Sequence, residues 1–102
     1  MSIARAILEE ELENLIRQLE RNIKEFEKLP RGSIRMKKIN GREYPYLQYK
    51  EHGKVVSKAI KKSEDIKVIE FKIKKRKQLK DKVRVMKVEI VEIEVSLKHL
   101  NP

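Results

Sequence analysis

The residues best suited to chemistry in this sequence are arginines, lysines and tyrosines at alternate positions between residues 35 and 50. Arginine and lysine contact phosphate groups, glutamine and arginine can read base edges, and tyrosine can stack on a base or donate to phosphate. Side chains two residues apart share one face of a β-strand. The pattern therefore predicts one basic, tyrosine-bearing surface, formed by Arg35, Lys37, Tyr44, Tyr46, Gln48 and Lys50.

A second basic group lies in the run KIKKRKQLKDKVR at residues 72–84, which holds eight basic residues and one acidic residue. As a helix, this run could hold phosphates beside the first surface, although a solvated helix face has a similar composition. The candidate phosphate contacts in it are Lys74, Lys75, Arg76 and Lys77.

The charge of the whole chain supports an anionic partner. The 102 residues include 26 basic and 16 acidic side chains, a net charge of +10. Residues 30–62 alone hold ten basic and two acidic side chains. Such a field favours nucleic acid or an anionic membrane surface. Heat-adapted proteins also have lysine- and glutamate-rich surfaces, which would explain the density of charge but not its imbalance.

The sequence lacks the residue patterns that would indicate catalysis or metal binding. There is no cysteine, and the two histidines, His52 and His99, are far apart in the chain. No metal-ligand, nucleophile or phosphate-loop spacing occurs, and no carboxylate pair has an apolar setting. We therefore expect no enzyme activity, no metal and no cofactor. The chain has no 18-residue apolar run and no signal-like start, so we expect a cytoplasmic protein without a membrane partner.

Two turn signals divide residues 30–62 into three short strands. Asn40-Gly41 supplies the positive φ angles that a two-residue hairpin turn requires. Counting outward places Lys37 opposite Tyr44, and a second turn at His52-Gly53 adds the third strand. The other predicted pairs are Ser33–Gln48, Ile34–Leu47, Arg35–Tyr46, Met36–Pro45, Ile39–Arg42, Tyr49–Val56, Gln48–Ser57 and Tyr46–Ala59.

This register gives the sheet two unlike faces, because side chains alternate across a strand. The face with the arginines and tyrosines would be open to water, where tyrosines can also serve cross-strand packing under lysine and arginine stems. Lys58 falls on the other side and would extend its ammonium group to the sheet edge. That side should pack on a helix through Ile34, Met36, Leu47, Tyr49, Val56 and Ile60.

The hairpin segment also resembles known proteins. Its features are Gly32-Ser33-Ile34, Asn40-Gly41, Tyr44, Tyr46-Leu47-Gln48-Tyr49, Gly53-Lys54-Val55 and Ser57-Lys58. In this order they resemble a small uncharacterised family of bacterial and archaeal proteins, in which a long helix follows the hairpin. More distantly, the three strands are similar to the arm-type DNA-binding domains of phage integrases. That second resemblance implies DNA contact by the arginine and tyrosine face. Ala59 stands where such sequences would have an aromatic residue.

Long helices are predicted on both sides of the strands. Residues 1–29 have a heptad seam of apolar residues with one polar member, Asn22, that fits either a register-setting position or a solvated edge. Ser2 can cap this helix, and Pro30 should end it. Residues 63–100 have a complete apolar seam and a candidate cap at Ser63. The alternation at 83–98 also suits a strand, but the length and the absence of turn residues favour a helix. The apolar seam positions are Leu8, Leu12, Leu15, Leu19, Phe26 and Leu29, then Leu79, Val83, Met86, Ile90, Ile93, Leu97 and Leu100.

These elements predict an α+β protein. A long N-terminal helix (1–29), a three-stranded antiparallel β-meander (30–62) and a long C-terminal helix (63–100) would form one domain over residues 1–102, with the helices paired as an antiparallel coiled coil. The predicted function is binding of nucleic acid, DNA in preference to RNA. The alternatives are RNA binding by the same face, or a coiled-coil module that docks on an acidic protein or in the nucleic-acid channel of a nucleoprotein. The helix stripes would also allow a homodimer.

Overall fold

A computed structural model describes residues 2–100 and contains two helices and three strands. In chain order they are α1 (Ile3–Lys28), β1 (Ser33–Ile39), β2 (Arg42–Glu51), β3 (Lys54–Ala59) and α2 (Ile66–Leu100). This is the predicted α+β order. Residues 83–98, whose alternating pattern also suited a strand, are helical.

The helix starts are fixed by side-chain caps. At α1 the Ser2 hydroxyl accepts a hydrogen bond from the Arg5 amide at 3.4 Å, as predicted. At α2 the predicted cap, Ser63, is wrong. The Asp65 carboxylate accepts from the Lys67 amide at 2.9 Å, and the Asp65 carbonyl accepts the first helical bond from Ile69. Aspartate is as good a cap as serine, and residues 61–64 form a turn in which the Glu64 amide donates to the Lys61 carbonyl.

The strands form one antiparallel sheet in the order β1-β2-β3. Every predicted cross-strand pair is present, from Ser33 opposite Gln48 to Ile39 opposite Arg42, and from Tyr46 opposite Ala59 to Tyr49 opposite Val56. Both two-residue turns have positive φ at their two central residues: 52° and 80° at Asn40-Gly41, 50° and 76° at His52-Gly53. The turn chemistry therefore fixed the register, because a slip of one residue would exchange the two faces.

The described residues divide into two compact units. The helical unit comprises residues 2–28 and 78–100. In it, α1 packs against the C-terminal part of α2 in antiparallel orientation, because Arg5 donates to the Leu97 carbonyl at 3.5 Å while Asn22 donates to the Met86 sulfur at 3.2 Å. Asn22 is thus half-buried and paired across the two helices. The core of this unit is formed by seam residues, Leu15, Met86 and Ile90, with Leu12, Leu19 and Ile93 packed against them.

The sheet unit comprises residues 29–77, which include the three strands and the first part of α2. Its buried side chains are Ile60 and Ile73. On the face predicted to pack on a helix, Ile34, Leu47, Tyr49 and Val56 are half-buried. Met36 departs from the prediction because it is 52% exposed.

No helix within residues 2–100 combines the length and the apolar character that a membrane-spanning segment requires.

Candidate nucleic-acid interface

Six of the ten predicted site residues lie on one face of the sheet, which we call the open face. The register aligns Arg35 with Tyr46 and Lys37 with Tyr44, so alternation along β1 and β2 directs these side chains to the same side. Tyr46 and Gln48 are half-buried because β2 is the central strand, with a neighbour on each side. Arg35, Lys37, Tyr44 and Lys50 are exposed.

A cation–π contact orders the middle of the open face. The Lys37 ammonium nitrogen lies 4.4 Å from the centroid of the Tyr46 ring. At an exposed site such a contact contributes about 0.5–1 kcal/mol. Lys37 is exposed, so the contact orders the lysine side chain while its positive charge stays at the surface of the open face.

The open face has no acidic side chain among its described strand residues. The two glutamates of the strands, Glu43 and Glu51, are odd-numbered residues of β2 and fall on the opposite face. Arg42 shares the open face with Tyr44 and is exposed, although it was not among the predicted site residues. The signal that would have found it is the alternation that selected Tyr44, extended by one step to the start of β2.

Two exposed apolar residues also belong to this face. Ile39 is 45% exposed beside the first turn, and Val55 is 59% exposed beside the second. Their partners across the strands are Arg42 and Lys50, both on the open face. Apolar side chains at the margin of a basic surface can contact thymine methyl groups or sugars. Neither residue was predicted for this face, although the alternation that places Arg35 and Lys50 there also places Ile39 and Val55 there.

The four basic residues predicted on the helix do not join the open face. Lys74, Lys75, Arg76 and Lys77 lie in the first part of α2. Ile73 of this helix is buried and lines a cavity with Ile34, which lies on the opposite face of the sheet. The helix therefore covers the apolar face, and these four residues lie on that side of the sheet unit. Lys74 and Lys77 are exposed, whereas Lys75 and Arg76 are half-buried.

The surroundings of Arg76 perturb the pKa of its guanidinium group. Burial, and then the positive charge of Arg31, lower the pKa of its guanidinium group below the ordinary value for arginine. Arginine stays protonated at physiological pH in spite of such a shift. The smaller contribution, from Arg31, shows that these two arginines lie near each other in the sheet unit.

Among residues 2–100, no group of three or more histidine or acidic side chains is placed to hold a metal ion. The open face presents cations, tyrosines and the Gln48 amide, which are groups that can contact phosphates and aromatic rings.

Comparison with known proteins identifies a family but no activity. No curated protein and no solved structure matches the chain. A family described as a domain of unknown function, DUF6788, matches residues 9–69, which is more than half of the chain and includes the whole sheet. The chain belongs to this uncharacterised family, DUF6788.

Proposed function

We propose that this protein binds nucleic acid, with DNA as the preferred substrate, through the open face of its sheet. The observation that carries the proposal is the composition of that face. Four cations, two tyrosines and a glutamine point to one side of three paired strands, with no acidic side chain among them. Phosphate contacts supply most of the affinity of nucleic-acid binding, and base contacts supply specificity. The face contains groups suited to both.

The distribution of charge between the two units supports this proposal. The sheet unit holds 16 basic and 5 acidic residues, a net charge of +11. The helical unit holds 10 basic and 11 acidic residues, a net charge of -1. The excess positive charge of the protein therefore belongs entirely to the unit that contains the proposed interface. A field concentrated in this way would steer a polyanion to the sheet.

The dimensions of the sheet suit a DNA groove. Three strands span two inter-strand spacings of about 4.8 Å each, or roughly 10 Å, and the major groove of B-DNA is about 12 Å wide. Sheet elements that enter a groove place the side chains of one face against base edges. The resemblance to integrase arm-type domains suggests the same docking mode. In that mode Tyr46 and Gln48, on the central strand, would lie nearest the bases.

The contact between Lys37 and Tyr46 favours duplex DNA over single-stranded RNA. RNA recognition of this type stacks unpaired bases on exposed aromatic rings. The Lys37 ammonium group already covers one face of the Tyr46 ring. That leaves Tyr44, which is 37% exposed, as the more open platform. A groove-bound sheet needs no open ring face, because tyrosine can donate its hydroxyl to phosphate.

A salt series of binding to labelled random duplex DNA, with single-stranded DNA and RNA as competitors, tests the proposal. Contacts from Arg35, Lys37, Arg42 and Lys50 to four phosphates would give a slope of log affinity against log salt of about -3.6. We expect duplex DNA to compete best. A slope shallower than about -1, or no measurable binding at physiological salt, would overturn the proposal. Stronger competition by RNA would reassign the substrate and keep the interface.

A second candidate is a protein-interaction role, and one observation favours it. Val85, Val88, Val91 and Val95 follow one another at intervals of three, three and four residues on α2, and each is about half exposed. This spacing forms an apolar stripe along one side of a helix, which a second copy of the chain could cover. Sedimentation equilibrium tests this candidate. A dimer that dissociates on dilution, and that Val88→Glu abolishes, would support it, and a monomer at every concentration would exclude it.

A further inference from the structure

A small cavity lies between the start of β1 and the first part of α2, on the side of the sheet unit away from the open face. Its volume is about 270 Å³. One wall is the chain at Gly32 and Ser33, and the other is the helix surface around Ile73. The lining residues are Gly32, Ser33, Ile34, Glu70, Ile73, Lys74 and Lys77.

Glycine is required at the backbone wall of this cavity. Gly32 has φ +104°, a conformation that other residues rarely adopt. A Cβ atom at this position would overlap the Gln48 carbonyl oxygen and approach the Tyr49 Cβ to 2.8 Å. Gly32 therefore contributes only main-chain atoms to the cavity wall, whereas the Ser33 side chain shares the open face with Arg35.

Four cations lie at this cavity or beside it. Lys74 and Lys77 line the cavity, and Glu70 is its one acidic lining residue. Arg31 precedes Gly32, and its guanidinium carbon lies 5.1 Å from the centroid of the Tyr49 ring. The Lys58 ammonium nitrogen lies 5.7 Å from the same centroid. Two cations thus meet at one aromatic ring beside the cavity.

The crowding has an energetic consequence. Burial, and after it the charge of Arg31, lower the pKa of Arg76, so these two guanidinium groups lie close enough to repel each other. A dianion bound beside Arg31 would offset the repulsion between the two arginines and would also contact Lys74 and Lys77, which line the cavity.

We propose that the cavity at Gly32-Ser33 is a binding site for a phosphate group, held by Lys74 and Lys77 with Arg31 beside it. The site is separate from the open face, so it exists whether or not that face binds nucleic acid. Its ligand is either a backbone phosphodiester of a nucleic acid that passes around the sheet unit or the phosphate monoester of a free nucleotide. Both present the same anionic oxygens.

The test is a titration of the isotope-labelled 102-residue protein with inorganic phosphate, followed by amide chemical shifts, with sodium chloride added to constant ionic strength. We expect the Gly32 and Ser33 amides to shift and to saturate. Lys74→Ala with Lys77→Ala should weaken the apparent affinity at least tenfold. The matched control is Lys67→Ala with Lys72→Ala, which removes two exposed lysines from the same helix outside the cavity and should change it less than twofold.

Two further probes separate the sources of phosphate. Adenosine monophosphate should saturate these amides more tightly than a dinucleotide with a single diester phosphate if the natural ligand is a free nucleotide. The reverse order would indicate a nucleic-acid backbone. Linear shifts without saturation, or equal losses in the two double variants, would overturn the site. Neither result bears on the open face, whose binding is measured separately with duplex DNA.

Discussion

The two units of this protein differ in net charge and in the number of apolar side chains that they bury. The helical unit is almost neutral and buries Leu15, Met86 and Ile90 in a continuous core. The sheet unit has a net charge of +11 and buries only Ile60 and Ile73. Burial of apolar area stabilises a fold, whereas concentrated like charge destabilises it. The helical unit thus has the larger apolar core, and the sheet unit has the positive charge on which the proposed anion binding depends.

The division can be measured spectroscopically because the reporters are separated. All three tyrosines lie in the sheet unit, and the protein has no tryptophan. Tyrosine fluorescence therefore follows the unfolding of the sheet unit, while helical circular dichroism chiefly follows α1 and α2.

The largest effect is expected from Gly32→Ala. The new Cβ would overlap the Gln48 carbonyl oxygen at a backbone angle of φ +104°, so the free energy of unfolding of the sheet unit should fall by about 3 kcal/mol or more. Gly41→Ala is the control, because its Cβ would meet no atom within 4 Å and only its positive φ is unfavourable. That control should cost about 1 kcal/mol. Urea unfolding followed by tyrosine fluorescence measures both, and equal losses would contradict the close packing at Gly32.

A similar loss should follow from a cavity in the helical unit. Leu15 is 7% exposed at the centre of its core, so Leu15→Ala should lower the free energy of unfolding by about 3 kcal/mol. Val91 is 57% exposed on α2, and Val91→Ala should cost less than about 0.5 kcal/mol. Thermal unfolding followed by circular dichroism gives both values. A large loss at Val91 would show that its stripe is covered in solution and would favour the dimer.

DNA affinity should depend on the residues of the open face and not on the buried residues that stabilise the fold. Replacing Arg35, Lys37, Tyr44 and Tyr46 together by alanine should weaken binding to duplex DNA roughly 100-fold, or by about 2.7 kcal/mol. Both unfolding signals should show that the variant is folded. Arg21→Ala with Lys24→Ala removes two exposed cations from the helical unit and should leave the affinity within about twofold. Full affinity in the fourfold variant would remove the open face from the mechanism.

The smallest effect distinguishes the two faces of the sheet. Arg42→Ala, on the open face, should weaken binding about fivefold and reduce the salt slope by about 1. Lys38→Ala removes another exposed cation, which lies opposite Glu43 in the strand register on the other face of the sheet. The affinity should therefore change less than about twofold. Fluorescence anisotropy with labelled duplex resolves these differences. Equal effects would mean that binding responds to the total charge of the sheet unit and not to one face.

The helices, the strands and the strand register could be predicted from the amino-acid sequence. Asn40-Gly41 and His52-Gly53 are local signals whose positive φ angles fix two-residue turns, and each turn sets the pairing of the strands that it joins. The heptad seam at residues 79–100 likewise outweighed the alternating pattern at 83–98, because one helix places the seam on a single side, where Met86, Ile90 and Ile93 pack with α1. Local geometry and periodicity are properties of short stretches, so they can be read without the fold.

The tertiary structure determines which of the predicted surfaces lie close together in space. It placed the first part of α2 on the side of the apolar face, where buried Ile73 lines a cavity with Ile34, and so separated the helix lysines from the open face that they were expected to flank. It placed the helix cap at Asp65 instead of Ser63. It also brought Arg31 and Lys58 to the ring of Tyr49, placed Arg31 near Arg76 and formed the cavity at Gly32. These placements depend on the packing of residues far apart in the chain, and no local pattern contains that information.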